Sequence, residues 1–231
     1  MSGAMGILQR SPVLWAVVEN ETVTARALVA GSPALHCDVQ PDGDSEAIRM
    51  RSALGHALAL HLLARTASCN WRIEKTKAGR PIAHGEVERH VSISHTGVLV
   101  VAAVSAIGPI GIDVERRDKV RDFTRLAEAA FGPAEAAMVA AEGADAFYRI
   151  WSVREAMSKA TGEGLPTVVD RKDRVPPQFP DSKWIVGKDN WWLAHDIIKD
   201  RLSLALAIQA ASPKAAKAIT ASNVADLRVR V

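Results

Sequence analysis

The sequence predicts an α+β protein made of two similar halves, 1–108 and 109–231. Three observations predict it. Short β-branched runs alternate with longer helical patterns, the order strand, helix, several strands occurs twice, and VSISHTGVLVVAAVS (91–105) is echoed by WWLAHDIIKDRLSLALAIQ (191–209). Each of these two segments turns after a histidine and ends in an apolar strand. A chain of 231 residues has room for one large domain or two small ones, and either buries a real core. With 48% hydrophobic and 24% charged residues the composition is that of a folded protein and not of a disordered one.

In the first half, VLWAVV (13–18) reads as a strand and Ser45 caps an amphipathic helix running to Thr66. Strands follow at 71–75, 90–94, 98–104 and 110–115, separated by glycine-bearing turns. KAGRPI (77–82) reads as a turn. Helical patterns then cover 119–130, 133–142 and 144–162, and strands return near 183–187, 191–198 and 202–209. The proline-rich stretch 170–183 is a loop, and DLRVRV at the end of the chain reads as a last strand.

Several classes are disfavoured. Cys37 and Cys69 have no CxxC spacing and no histidine cluster beside them, which argues against zinc and for a reducing compartment. The apolar run Val98–Ile112 is interrupted by Ser105, Gly108 and Pro109 and falls short of the ~20 residues of a membrane helix. No secretory signal is visible at the start, so a cytoplasmic protein without a membrane partner is expected. A net charge of +3 permits an anionic ligand without demanding nucleic acid.

The chemistry concentrates in three places. GIDVE sets Asp113 and Glu115 two residues apart on a strand, hence on one face. Such a pair either holds a cation or forms a solvated strand end with the arginines that follow. In FYRIWSVREAMSKATGEGL (147–165), Trp151, Glu155 and Lys159 lie at i, i+4 and i+8 on one side of a helix. That is a surface ion pair unless Glu155 joins the strand pair, in which case three carboxylates make a hard oxygen site for Mg2+. Third, Ser94 and His95 stand in the turn SISHTG, which offers hydroxyls, an imidazole and backbone N–H groups to a phosphate, or is an ordinary hairpin turn.

In order, GRP (79–81), SISHTG (92–97), GIDVE (111–115) and WSVREAMSKATGEGL (151–165) resemble the surfactin-type 4'-phosphopantetheinyl transferases. The resemblance implies a pseudo-twofold pair of halves in one chain, with coenzyme A and Mg2+ in the cleft between them. The 1–108 half would carry GRP and SISHT, and the 109–231 half the GIDVE metal motif and the WSVREAMSK helix. Asp113, Glu115 and Glu155 would hold the metal, while Ser94, His95, Arg80 and Lys159 would meet the phosphates of coenzyme A. Glu155, or a water on the metal, would accept the proton of a carrier-protein serine as 3',5'-ADP leaves.

Two departures stand out: Arg154 replaces the family's usual lysine, with a phosphate contact still expected from it, and His56 and Leu60 occupy helix positions where arginines are common. Arg49 and Arg51 are left as candidates for the 3'-phosphate. The basic segment ERRDKVRDFTR (115–125) is either a solvated helix start, its cations paired with Glu115, Asp118 and Asp122, or the dock of an acidic acyl or peptidyl carrier protein through Arg116, Arg117, Lys119, Arg121 and Arg125, with Val120 and Phe123 as an apolar centre. The partners expected are therefore coenzyme A and a carrier protein, and the chain, already two halves, is expected to be a monomer. The competing readings are a non-catalytic coenzyme A or carrier-binding module and a metal-dependent nucleotide pyrophosphate hydrolase.

Overall fold

The apolar run Leu99–Ser105 becomes the middle strand of an antiparallel sheet because a strand covered on both faces needs small or apolar side chains at every position. Val100 to Val104 are all fully buried. The computed structural model describes residues 13–19, 46–164, 175, 176, 178, 179, 183–198 and 200–209. These fall into two units divided between Ile107 and Gly108. Cys37, the cap at Ser45, most of the 170–183 loop and DLRVRV lie outside the described residues.

In the first unit, β1 (Val13–Glu19) is followed by α1 (Glu46–Thr66), β2 (Arg72–Lys75), β3 (Pro81–His84), β4 (His90–Thr96) and β5 (Leu99–Ser105). The sheet order is β1-β5-β4, all antiparallel. Leu54, Leu58 and Leu62 recur every fourth residue of α1, so they form one stripe; that stripe packs on Val91, Val100, Ala102 and Val104. A separate hairpin pairs β2 with β3. The sequence pattern shows only a turn here, since Pro81 reads as punctuation; it is tolerated as the first residue of a strand with one partner.

The second unit opens with β6 (Ile110–Arg116). It continues through α2 (Phe123–Ala130), α3 (Pro133–Glu142), α4 (Ala144–Thr161), β7 (Ile185–Val186), β8 (Trp191–Ile198) and β9 (Leu202–Gln209). Its four strands order as β6-β9-β8-β7. α4 lies against this sheet, burying Ile150, Val153, Ala156, Met157 and Ala160 with Leu193, Ala205 and Ala207. It stops at Gly162, whose left-handed φ of 73° ends the hydrogen-bond ladder. α2 starts four residues later than the helical pattern suggests. The Asp122 carboxylate accepts from the Arg125 N–H at 3.0 Å and so fixes the cap there.

Beneath α4 the sheet carries a buried polar chain. Ser203 donates to the Tyr148 carbonyl (3.2 Å), and its oxygen lies 3.0 Å from the Ser152 hydroxyl and 2.7 Å from His195 Nε2. Burial, and then Arg149 and Arg117, push the His195 pKa down from 6.5 to about 4, with Asp145 opposing. The folded state therefore refuses a proton that the unfolded chain accepts. The stability this histidine contributes is complete above pH 6.5 and is lost as pH falls from 6.5 to about 4, an effect on the order of 3 kcal/mol. Urea unfolding across that window should fall more steeply for the wild type than for His195→Gln; parallel curves would show that His195 does not titrate as argued.

Candidate functional site

Gly111, Asp113 and Glu115 alternate along β6 and share the face that meets α4. The contact is unusually close: a Cβ on Gly111 would stand 1.7 Å from the Ala156 carbonyl oxygen. Only glycine lets the helix backbone settle there, and that approach sets how far α4 stands from the two carboxylates. On α4, Trp151, Glu155 and Lys159 form the expected stripe, each half-buried.

The two elements are tied by direct contacts. Lys159 Nζ donates to Asp113 Oδ1 at 2.7 Å, and Asp113 is only 3% exposed. Trp151 Nε1 donates to Glu115 Oε1 at 3.3 Å. Glu155 completes the neighbourhood electrostatically. Its pKa is raised, first by burial and then by Asp113 and Glu115, against the pull of Lys159. Glu115 is likewise raised by burial and by Asp113, with Trp151, Lys119 and Lys159 opposing. The strand pair and the distant helix glutamate are therefore near enough to act on one another electrostatically.

They do not stand as a closed ligand set. Among the described residues no three acidic, histidine or cysteine side chains are grouped closely enough to grip an ion as placed, and Lys159 and Trp151 occupy oxygens of Asp113 and Glu115. The convergence on one ion that the sequence suggests is thus incomplete. The chemistry of the donor set nevertheless fits a hard divalent cation. Burial and the Asp113 charge raise the pKa values of Glu115 and Glu155, with one ammonium close by, and Mg2+ asks for few protein carboxylates beyond its waters and phosphate oxygens.

Arg154 is a correction. It was expected to touch a phosphate, yet it is 1% exposed and paired with Glu135 in the interior. Its neighbour Glu155 is on the site side of the helix; a step of one residue turns the side chain by about 100°. Phe123 is half-buried, its ring packed on Phe147 and Tyr148 at centroid distances of 5.1 and 5.4 Å, so much of the apolar contact expected of it is spent on the core. Of the basic segment, Arg116 pairs with Asp118 and Arg117 with Asp145. Lys119, Arg121 and Arg125 are exposed, and Val120 is fully so.

In the first unit the candidates scatter. Ser94 is buried and His95 exposed, on opposite faces of β4, which separates a pair expected to meet one phosphate. Arg51 Nη1 donates to the Gly97 carbonyl at 3.1 Å and so reaches the SISHTG turn. Arg80 sits between β2 and β3 with its N–H on Thr76 Oγ1 (3.1 Å). The side chain of Arg49 lies outside the described residues. Lys75, which no motif marks, donates to Ser52 Oγ at 2.8 Å beside Arg51; a single lysine at a strand end carries no signal in sequence alone.

With this geometry in place, the likeness to known proteins can be located. Residues 109–197 match the family described as the 4'-phosphopantetheinyl transferase superfamily. The chain is similar to 4'-phosphopantetheinyl transferase Sfp of Bacillus subtilis (strain 168), with 28% identity over 146 residues, 57% of this chain and 64% of that protein. A 4'-phosphopantetheinyl transferase of Bacillus subtilis is 35% identical over 97 residues, 40% of this chain and 42% of the relative. The 4'-phosphopantetheinyl transferase HetI of Nostoc sp. is 30% identical over 93 residues, 38% and 39% respectively. The chain thus spans less than two thirds of the length of each. The family match contains β6 and α4, and with them every acid of the patch.

Proposed function

We propose that this chain, whose residues 109–197 match the 4'-phosphopantetheinyl transferase superfamily, moves the phosphopantetheine arm of coenzyme A onto a serine of an acyl or peptidyl carrier protein. One observation carries the reading: inside the matched segment, β6 and α4 bring Asp113, Glu115, Glu155 and Lys159 into a single charged patch.

In the transfer the serine oxygen bonds to the β-phosphorus of coenzyme A. The bond from that phosphorus to the bridging oxygen breaks, and 3',5'-ADP departs with the electron pair. Bound by Asp113, Glu115 and Glu155, Mg2+ would supply positive charge for the diphosphate. Glu155, made less acidic than an ordinary carboxylate by burial, would take the serine proton, directly or through a water. Lys159 offsets negative charge on the diphosphate from its position at Asp113. Arg51, Arg80 and His95, with Lys75 beside Arg51, are assigned to the phosphates of coenzyme A.

Two repeats of one α+β plan, 1–108 and 109–231, belong to this reading. Its support is that each unit, taken alone, lays one long helix on one antiparallel sheet. A cytoplasmic, monomeric enzyme is part of the same reading.

Mass spectrometry of an apo-carrier protein incubated with the chain, coenzyme A and Mg2+ tests the reaction. The carrier should gain the phosphopantetheine mass as 3',5'-ADP appears. Nucleotide release without a carrier would favour a pyrophosphate hydrolase, and binding without either product a non-catalytic module.

The docking surface makes a separate prediction. Because Arg117 is engaged by Asp145, the exposed Lys119 and Arg121 beside Val120 are the better sites for an acidic carrier. Lys119→Glu with Arg121→Glu should lower kcat/KM for the carrier about tenfold or more at low salt, with the loss shrinking as salt rises. The KM for coenzyme A should stay as it is. Unchanged carrier kinetics would remove this surface from the proposal.

A further inference from the structure

We infer that the buried Arg154–Glu135 pair is a positioning lock that sets the roll of α4, and with it the aim of Glu155 and Lys159 at β6. Both side chains are 1% exposed. A buried ion pair seldom stabilises a fold more than apolar packing of the same volume does, so its presence calls for a geometric explanation.

The contacts supply one. Glu135 Oε2 accepts from the Gly132 N–H at 3.2 Å as well as from Arg154, and Glu135 Oε1 accepts from the Val175 N–H at 3.1 Å. Arg154 Nη1 donates to the Ala130 carbonyl at 3.3 Å, and its guanidinium lies 5.0 Å from the centre of the Phe131 ring. One α4 side chain is therefore held, in defined directions, by the end of α2, the α2–α3 junction and the first turn of α3, where Glu135 is itself fixed by the Gly132 and Val175 N–H groups. Elsewhere on the helix, the Ala156 carbonyl rests on Gly111. The Gly111 contact fixes the distance of α4 from β6, and the fully buried directional bonds of Arg154 add to the more exposed contacts of Trp151 and Lys159 in fixing rotation about the helix axis.

Side chains reach about 5–6 Å from a helix axis, so a roll of about 10° moves a carboxylate by about 1 Å. A displacement of that size can cost about 10²-fold in rate. An apolar residue at 154 would fill the space without specifying the angle. Arg154 and Glu135 are on this account positioning residues that act through Glu155 and Lys159 and touch no substrate.

The kinetic part of the test rests on the transferase reading; a second part does not. Arg154→Met combined with Glu135→Gln removes both charges together, so neither is left buried alone. This variant should fold, lower kcat about 10- to 100-fold and leave the KM for coenzyme A within about threefold. Arg154→Lys, which keeps the charge, should recover most of kcat. Glu135→Asp keeps the charge but shortens the reach, and serves if the double variant fails to fold; it should lower kcat with KM unchanged.

Independently of any substrate, acylation of Lys159 by an amine-reactive reagent, read by mass spectrometry against the other lysines, should become severalfold faster as its contact with Asp113 loosens. Wild-type kcat together with wild-type Lys159 reactivity in a folded variant overturns the lock. Should the wild type transfer nothing, the transferase reading fails, and Lys159 reactivity alone decides the lock: faster supports it, unchanged overturns it.

Discussion

Replacing Gly111 by alanine is expected to destabilise the second unit by more than about 3 kcal/mol, beyond the usual range for an added methyl in a packed core. The added carbon would lie 1.7 Å from the Ala156 carbonyl oxygen, 2.7 Å from its carbon and 2.9 Å from the Ala160 nitrogen. All three are backbone atoms of one helix, so no rotamer change relieves the clash. α4 would have to lift from β6, and lifting it opens the layer formed by Ile150, Val153 and Ala160 against Ala205 and Ala207. The same movement draws Lys159 off Asp113 and Trp151 off Glu115, whose contacts are 2.7 and 3.3 Å. Any folded fraction should therefore also lose activity. Thermal unfolding and the soluble yield of Gly111→Ala check this; a midpoint within a degree or two of the wild type would mean that the close approach is not what holds the helix.

Gly111 also marks where sequence reading stops. GIDVE announces its acids through a period of two, and Trp151, Glu155 and Lys159 announce themselves through a period near four, because both periods are local properties of the chain. Most strands and the long helices were legible for that reason. What Gly111 is for depends on a helix 45 positions later, and nothing near it in sequence says so. Arg154 shows the same limit from the other side. Next to a glutamate in a recognised motif, an arginine reads as part of the site, but its burial is decided by Glu135, nineteen positions upstream. Pro81–His84 was hidden because four residues after a glycine-bearing turn are too few to show alternation. The His195–Ser203 contact escaped for want of any motif, since it joins two strands only through their register.

Glu155→Gln is expected to lower kcat by about 10²- to 10⁴-fold, the range for loss of a general base, while leaving the protein at least as stable as the wild type. The two halves of that expectation have one cause. Burial and the nearby Asp113 and Glu115 raise the Glu155 pKa, with Lys159 only partly offsetting them. For an acid whose folded pKa lies above its unfolded value, ionisation favours the unfolded chain. The group therefore weakens the fold increasingly as pH rises from the ordinary carboxylate range through its raised folded pKa. Glutamine keeps the shape and removes the charge, so it should relieve the repulsion. Loss of activity with no loss of stability is what a site residue held in an unfavourable place predicts. Lys159→Met should behave oppositely in stability, because it strips Asp113 of a partner at 2.7 Å in a setting where Asp113 is 3% exposed. Thermal unfolding without metal at neutral pH, set beside the rate of carrier modification with Mg2+, distinguishes the cases. If Glu155→Gln keeps its rate within about threefold, Glu155 is not the proton acceptor; if it loses stability and rate together, the carboxylate is holding the fold and the catalytic assignment moves elsewhere.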